Sequence, residues 1–442
     1  MSLRSPAWLI IGMLLGVVAP FKGLAIEIKQ AITLEEAVQE ALSWHPTIAT
    51  AKARLEEQAQ RERQAKAGYY PQVSASSKSG YEGRRDEQKY SHALSLSVSQ
   101  MLYDFGKVRS DVAVEKAQWV KRQAELFKTI EETVHNTSTA AFEIWRYQQL
   151  ETMAEQQHKA LDELTELVAE RHRRGAASRS DVAQSKSRVE GAYVQVLQYR
   201  NQKLLWQNRL ASLLGKESAI AIASAPKVQA QESCQFSEEA LEKAPSLAMA
   251  FAERDSAEAT AAQANARQWP TISLDPTVTH HVRTPNWSQR DTPERTEYGV
   301  FLNVNMPLYQ GGAINAERKL AQAGRLAAES EILSERQRLL EALFTASSQL
   351  EVLGYQKQVL EHREALSIET RELYQQQYLQ LGARPLIDLL NAEQEIYQTR
   401  FERINIETET ELMGLNCAHE LGQLHRVFNL GDTSIQGVTL TP

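Results

Sequence analysis

The chain has 442 residues, of which 42% are hydrophobic and 24% are charged, and its mean hydropathy is −0.44. This polar composition excludes a bundle of membrane-spanning helices, and the length allows two or three ordinary domains. The formal net charge of −7 makes the chain a poor candidate for binding nucleic acid.

The N-terminus carries the only long apolar run, which predicts a secretory signal peptide. Arg4 precedes apolar residues 7–19, and the small residues Gly23 and Ala25 fit a cleavage site. A retained anchor is the weaker alternative, because the run is shorter than the roughly 20 residues that a span needs. Removal of residues 1–25 would change the net charge from −7 to −9, and no cysteine lies there for lipid attachment.

The first mature segment predicts a helix that leads into strands. Thr33 and Glu36 have the spacing of a capping box, and helical periodicity continues to about Gly68 with an interruption at Pro46. Pro71 ends the helix, because the residue before a proline disfavours the α region.

The strands that follow are predicted to be long and to have two different faces. Leu94, Leu96 and Val98 alternate with serines, which is the period of a strand. The predicted strands have about 10–13 residues, nearer to the strands of membrane barrels than to those of soluble sheets. Aromatic residues gather at the strand ends, as in the girdles of outer-membrane barrels, although soluble sheets also have tyrosines at such places.

Two helices of unusual length are predicted over 107–174 and 313–381, each about 100 Å long. Helices of this length need neighbouring helices along their whole course. Four shorter predicted helices are available as neighbours, and in pairs they match the length of a long helix. We expect each pair to stack head to tail, with the joint midway along the rod. The expected pairs are 180–214 with 237–268, and 387–428 with 33–68.

The only cysteines, Cys234 and Cys417, lie far apart in the sequence. Export would place them in an oxidising compartment, where they could form a disulfide. Two separate thiols are the alternative, and the sequence leaves both possibilities open.

The whole plan occurs twice in the chain, which predicts an internal two-fold repeat. Each copy begins with an aromatic-proline pair, passes through a strand pair that ends in a Leu-Tyr…Gly segment, and continues into a long helical hairpin with a Gly-Ala turn. The predicted organisation is a signal peptide (1–25), a first repeat (26–215, strand pair 70–103, hairpin tip 174–181), a linker (216–236), a second repeat (237–428, strand pair 270–309, hairpin tip 381–388) and a C-terminal tail (429–442). We expect the linker and the tail to form a girdle at the level of the joints.

These paired motifs resemble the TolC-type outer-membrane channel family, over nearly the whole mature chain. The marks are the pairs Tyr70-Pro71 and Trp269-Pro270, the segments 102–106 and 308–312, and the two turns. The resemblance implies an α+β, mostly helical chain that forms a homotrimer. It also implies a twelve-stranded barrel in the outer membrane, four strands per chain, continuous with a periplasmic α-helical barrel. Pro71, Gly106, Pro270 and Gly312 would be the transitions between helix and strand.

The resemblance also implies a gate at the two tips, where carboxylates would converge around the pore. Asp181 and Asp388 match the family's constriction aspartates, and Arg384 matches its arginine. Asn391 stands where the compared family member has a second aspartate, so the carboxylate ring would be weaker at that level. The alternative is that these groups are solvated helix caps. Ser178 and Ser180 are candidate caps for the helix after the first turn, and Pro385 fits the first turn of the helix that follows the second.

The tips are also the expected docking surface for a periplasmic adaptor protein, which would connect the chain to an inner-membrane ABC or RND transporter. The candidate docking residues are Arg174, Gly175, Ala176, Ser178, Gly382 and Ala383. The predicted function is export through the outer membrane, with type I protein secretion favoured by the Tyr-Asp-Phe-Gly segment at 103–106 and by the missing lipid-attachment cysteine. Multidrug or metal efflux is the alternative, and a soluble periplasmic coiled-coil scaffold is a distant one.

No enzyme, cofactor or metal site is predicted. The sequence has no glycine-rich phosphate loop with lysine. His280 and His281 lack a second cluster of metal ligands. The basic run Arg171 to Arg174 is interpreted as a solvated helix face, because glutamates surround it.

Overall fold

The computed structural model describes residues 31–84, 87–227, 234–283, 296–381, 383–430, 434–436 and 438–439. The fold is mostly helical, with one four-stranded sheet at one end. The helices are α1 Leu34–Trp44, α2 Pro46–Lys66, α3 Lys107–Arg173, α4 Arg179–Leu213, α5 Glu238–Glu242, α6 Pro245–Ala266, α7 Ala313–Gln376, α8 Leu386–Glu420 and α9 Leu424–Val427. The strands are β1 Ala31–Ile32, β2 Gln72–Arg84, β3 Glu87–Tyr103, β4 Ala221–Ile222, β5 Thr271–Arg283, β6 Thr296–Asn305, β7 Ser434–Ile435 and β8 Val438–Thr439.

Local signals explain where the N-terminal helices begin and end. The backbone N–H of Glu36 donates to Thr33 Oγ1 (3.2 Å), and the backbone N–H of Thr33 donates to the Glu36 carboxylate (2.9 Å), so the predicted capping box is confirmed. The predicted interruption is also confirmed, since α1 ends before His45 and α2 starts at Pro46. The helix predicted over 237–268 is interrupted before Pro245, which is the first residue of α6.

The sheet is antiparallel, with the strand order β2-β3-β5-β6. Leu96 lies opposite Ala75 on β2 and opposite Val278 on β5, and Val278 lies opposite Tyr298 on β6. Alternation along each strand therefore collects apolar side chains on one face of the sheet. Serines and threonines share the other face, where Ser74–Ser97, Ser95–Thr279 and Ser99–Asp275 hydrogen bonds join the strands. The outer edges of β2 and β6 have no strand partner among the described residues.

The short helices stack in two columns, but the predicted partners were wrong. Helices α2 and α4 both pack on α3, and the end of α4 meets α1 at Gly215, which lies against Trp44. Helices α6 and α8 both contact α3 and α7, and the end of α8 meets the start of α6. There, a Cβ at Gly422 would lie 2.6 Å from Pro245 Cδ. Each long helix is thus flanked by the two short helices of its own half of the chain.

The segment after α4 explains this pairing, because it leaves the first column for the second. Ile222 in β4 pairs in parallel with Ile32 in β1, and β4 contacts α3. The chain then reaches Cys234, beside α8.

The chain returns past α3 after α8, and a buried carboxylate holds it there. Glu131 on α3 is 1% exposed, and it accepts hydrogen bonds from the backbone N–H groups of Leu424 (2.9 Å) and His425 (3.0 Å). Leu424 and Leu430 join the apolar core around α1, α3 and α4. Beyond them, the side-chain amide of Gln436 donates to Leu42 O (3.2 Å).

Cys234 and Cys417 form a disulfide, with their Cα atoms 5.1 Å apart. The bond is buried in the apolar cluster that also contains Leu241, Leu247 and Leu343. It therefore ties the segment before α5 to α8, next to the joint between α8 and α6.

We predict that loss of this disulfide lowers the thermal midpoint without unfolding the protein. A bond that closes a 183-residue span restricts the unfolded chain, and such bonds are typically worth about 2–4 kcal/mol. The test is thermal unfolding, followed by circular dichroism, of Cys234→Ala/Cys417→Ala and of the wild type with and without reductant. Reductant should lower the wild-type midpoint and leave that of the variant unchanged. Equal midpoints for oxidised and reduced wild type would contradict the prediction.

Candidate functional site

The first tip is the turn between α3 and α4, and it is built from standard helix caps. Gly175 has φ +77°, and the N–H of Ala176 donates to Arg171 O (2.8 Å), so the left-handed glycine closes the end of α3. Ser178 is the N-cap of α4: the N–H of Asp181 donates to Ser178 Oγ (3.1 Å), and the N–H of Ser178 donates to the Asp181 carboxylate (3.0 Å).

Two details of this cap bear on the predictions. Ser178 is confirmed as a cap, whereas Ser180 is not one, since its hydroxyl lies 2.7 Å from Ser178 Oγ instead. The carboxylate of Asp181 serves the capping box within its own chain, which is the solvated-cap alternative for this residue.

The second tip lies between α7 and α8 and has a different construction. Helix α7 ends in a π-helical turn at Gln377–Leu381. Pro385 immediately precedes α8 as its N-cap residue, so its predicted place in the first turn was wrong by one position. Ala383 N–H donates to Gln377 O (3.3 Å), while Gly382 lies outside the described residues.

Arg384 is held against the second tip by three contacts. Its guanidinium is 3.0 Å from the Asp388 carboxylate and 2.9 Å from Gln377 Oε1, and its Cζ lies 4.4 Å from the centre of the Tyr374 ring. The structure therefore brings two predicted gate residues, Arg384 and Asp388, together as an i, i+4 ion pair within one chain. Asp388 lies in the first turn of α8, where a carboxylate also interacts favourably with the helix dipole.

Two arginines join the first hairpin to the second, and sequence reasoning missed both links. Arg171 on α3 donates to Leu379 O (3.2 Å), and its Cζ lies 4.8 Å from the centre of the Tyr378 ring. Arg188 on α4 donates to the side-chain oxygen of Asn391 (3.2 Å). Asn391 thus takes part in a contact between hairpins that its sequence position did not reveal.

The Arg171 link is partly desolvated. Tyr378 is 6% exposed, and burial raises the pKa of its hydroxyl above the ordinary value while the positive charge of Arg171 acts in the opposite direction. The sequence signal for this link was the basic run that contains Arg171. Helical periodicity alone did not distinguish Arg171 from the exposed arginines beside it.

The helix–strand transitions lie where the sequence placed them, and one of them contains an additional cap. Pro71 and Pro270 directly precede β2 and β5, and Gly106 (φ +91°) and Gly312 (φ +88°) precede α3 and α7. At the first exit, the carboxylate of Asp104 accepts from Gly106 N–H (2.9 Å) and Val108 N–H (2.6 Å). Gly312, by contrast, has no side-chain cap.

The sequence pattern of the outer membrane efflux protein family matches residues 37–216 and 236–411. The chain belongs to this family. It is therefore an efflux channel protein of the outer membrane, and it is not an enzyme. The two matched ranges contain every described part of the four-stranded sheet, both tips and both hairpins, except the end of α8 after residue 411.

Curated relatives and a solved structure support the same assignment. The chain is 21% identical over 417 residues to outer membrane protein TolC of Salmonella enteritidis, covering 90% of this chain and 83% of TolC. It is 22% identical over 383 residues to outer membrane efflux protein BepC of Brucella suis, covering 81% and 78%. The structure of the outer membrane protein VceC of Vibrio cholerae has a TM-score of 0.77 at 18% identity, covering 88% of this chain and 96% of VceC; this likeness shows the fold.

Two further observations concern the described residues alone. None of their helices is long and apolar enough to cross a membrane. Their histidines, cysteines and carboxylates form no group of three or more that could hold a metal ion.

We predict that Arg171→Ala loosens the π-helical turn of the second tip. It removes one hydrogen bond and one cation–π contact, together worth about 1–2 kcal/mol at a partly buried site. Hydrogen exchange measured by mass spectrometry should therefore be faster, by up to about tenfold, in a peptide covering 374–381. Arg173→Ala is the matched control, because the ion pair of Arg173 among the described residues is with Glu170 on its own helix. Equal exchange in the two variants would contradict the prediction.

Proposed function

We propose that three copies of this chain form one continuous export duct. The four strands of each chain would give a twelve-stranded barrel in the outer membrane, and the helices would form a periplasmic barrel that ends at the tips. The observation that carries the proposal is the sheet, which has one apolar face, one polar face and two outer edges without a strand partner among the described residues. Exposed strand edges are not tolerated in hydrocarbon, so the edges of neighbouring chains would have to pair.

A stripe of exposed apolar side chains on α7 supports the trimer. Val352, Val359, Leu366 and Leu373 recur every seven residues, which is the spacing of a helix–helix seam, and they are 52%, 65%, 50% and 48% exposed. Helix α4, at the other side of the chain, exposes Val194, Leu197 and Leu205. These two surfaces would meet between neighbouring copies.

We predict that Val359→Glu/Leu366→Glu prevents trimer formation. Two carboxylates in an apolar helix seam would have to be desolvated without partners, at a cost of several kcal/mol. The oligomeric state is measured in detergent by light scattering coupled to size-exclusion chromatography. Gln358→Glu/Ala365→Glu adds the same charges one position earlier, turned about 100° around the helix, and should leave the trimer intact. A trimer formed by the Val359→Glu/Leu366→Glu variant would contradict the assigned interface.

We further propose that the two sequence halves are an internal repeat with equivalent parts. Each half supplies a strand pair, one long helix and one column of two short helices. The spacing supports this proposal, because Gly175 and Gly382, and also Gly215 and Gly422, are separated by the same 207 residues. The last pair ends α4 and α8 at the two joints.

The tips would form the gate of the duct, closed at rest. In a trimer, Asp181, Asp388, Arg384 and Asn391 of three chains would surround the axis at the narrow end. The Arg384–Asp388 pair and the Arg171 and Arg188 links support this assignment, since they restrain the second tip against the first. A periplasmic adaptor would dock on Arg174, Gly175, Ala176, Ser178, Gly382 and Ala383 and loosen these restraints.

We predict that Arg384→Ala raises single-channel conductance in planar bilayers, because it frees the turn at Gln377. Asp388→Ala should both raise conductance and weaken block by divalent cations, since it removes one carboxylate per chain from the constriction. Glu163→Ala is the control, because its carboxylate belongs to α3 several turns from the tip. If both tip variants conduct and are blocked as the wild type is, the gate assignment is wrong.

For the cargo, we propose an unfolded protein delivered by an inner-membrane ABC transporter, as in type I secretion. The Tyr-Asp-Phe-Gly exit at 103–106 favours this use, and the capping carboxylate of Asp104 gives that segment a structural role. Efflux of drugs or metals through an RND transporter is the alternative. Deletion of the gene separates the two: loss of a protein from the culture medium supports secretion, whereas greater sensitivity to drugs or metals with unchanged secreted protein supports efflux.

A further inference from the structure

The polar face of the four-stranded sheet is lined mainly by small side chains. Ser74 on β2 lies opposite Ser97 on β3, Ser97 lies opposite Thr277 on β5, and Thr277 lies opposite Gly299 on β6. In the proposed barrel this face surrounds the lumen, since the apolar face of an outer-membrane barrel contacts lipid. Small hydroxyl groups offer little to a passing molecule, so the wall can bind one where it carries a larger or charged side chain.

One row of this face carries a charged and an aromatic residue side by side. Asp275 on β5 lies directly opposite Phe301 on β6, and the Cβ atoms of such pairs are about 4.5–5.5 Å apart. Phe301 is 60% exposed. A Cβ added at Gly299 would lie 2.6 Å from Phe301 Cε2 and 3.3 Å from Thr277 Oγ1. The phenyl ring therefore lies on the polar face, in the space that the missing side chain of Gly299 leaves.

The carboxylate of Asp275 is held in position, but its charge is not paired. Ser99 Oγ donates to one carboxylate oxygen (2.6 Å), and Ser273 Oγ donates to the other (3.0 Å). Within the described parts of the chain, no arginine, lysine or histidine forms an ion pair with Asp275. Glu297, two rows further along the same face, has His281 as a partner at 3.4 Å. The negative charge of Asp275 thus remains available to a cation in the lumen.

The spacing between copies decides which cations suit this pair. Twelve strands about 4.8 Å apart and tilted by about 40° give a cylinder about 24 Å across between backbones. Equivalent residues of three chains then lie about 20 Å apart, so three Asp275 carboxylates cannot share one ion. A metal ion would find a single carboxylate there, far fewer ligands than it prefers. An organic cation would find a carboxylate for its charge and, in Phe301, an aromatic ring for cation–π contact.

We propose that Asp275 and Phe301 form a binding site for organic cations on the wall of the barrel lumen, one site in each chain. The ligand is an ammonium group that carries an apolar substituent, which occurs in cationic small molecules and in the lysine side chains of an exported protein. The proposal deepens the proposed function and rests on the duct. Each contact is weak at an exposed site, which suits a conduit that must release what it carries.

The test measures the binding of two probes to the purified full-length protein in detergent by saturation-transfer NMR. Benzyltrimethylammonium represents a small-molecule cargo, and N-acetyl-lysine amide represents a basic side chain of a protein cargo. Asp275→Asn and Phe301→Leu should each weaken binding of the same probe by about two- to fivefold. Phe301→Tyr keeps the ring and should bind that probe as the wild type does. The responding probe identifies the source of the cation, and the absence of any probe weakened by both variants would overturn the proposal.

Two control variants match these substitutions on the same strand. Glu297→Gln removes a carboxylate from the same face, about 13 Å from Asp275 along the sheet. Tyr298→Leu removes an aromatic ring, 77% exposed, from the opposite, apolar face. Neither should weaken binding. An equal loss in Glu297→Gln would indicate general attraction by a negative lumen, an equal loss in Tyr298→Leu would indicate partition onto an apolar surface, and each would overturn the proposal. Circular dichroism melts check that all variants are folded.

Bilayer conductance of the same preparation separates this proposal from the proposed duct. A conducting protein in which no probe responds to both variants overturns the cation site alone. A protein that binds a probe through Asp275 and Phe301 but does not conduct overturns the duct and leaves the site as a property of the sheet.

Discussion

The architecture depends on burying the four helix ends that meet at the two joints, where α4 meets α1 and α8 meets α6. Each helix end leaves backbone groups without intrahelical partners, and burial without new partners would be costly. The α4 and α8 ends solve this in the same way, with Gly215 (φ +68°) and Gly422 (φ +64°) in the left-handed conformation. The N–H of the following residue bonds back to Ala211 O (2.8 Å) in one case and to Ala418 O (2.7 Å) in the other.

The segments that cross α3 complete this level and turn two columns into one body. The β1–β4 pair, the disulfide and the Glu131 carboxylate each hold a crossing segment that has little regular structure of its own. A buried carboxylate normally needs compensation, and Glu131 obtains it from backbone N–H groups that would otherwise be unpaired. The same bonds therefore satisfy the charge and anchor the C-terminal segment.

The sequence predicted the elements well because their signals are local. Capping at Thr33, the proline at position 71, the period-two serines of β3 and the Gly175 turn each depend on a few neighbouring residues. The choice of stacking partners was not predictable in this way. Helices α2 and α6 run in the same direction relative to the tips. Their lengths and chain directions therefore allowed either helix to share a column with α4. Only long-range contacts, such as Trp44 against Gly215, decide between them.

The contacts between the tips were missed for a related reason. Arg171 reaches Leu379 O at the π-helical turn that ends α7. No residue pattern in the sequence predicted that turn. Asp104 is a comparable case on the sheet side, because its capping role requires the left-handed backbone at Phe105 (φ +55°) and Gly106. In both cases the side chain was visible in the sequence, while the backbone geometry that gives it a partner was not.

The distribution of restraints along the rod differs between its middle and its end. The middle is held by a disulfide, a buried carboxylate and two apolar clusters. The link between the hairpins at the end consists of a smaller apolar cluster and the polar contacts of Arg171 and Arg188. Segments that move belong to the less stable part of a protein. A hairpin anchored firmly at the joint and lightly at the tip can therefore swing at its end without disturbing the joint, which is the property that a gate at the tip requires.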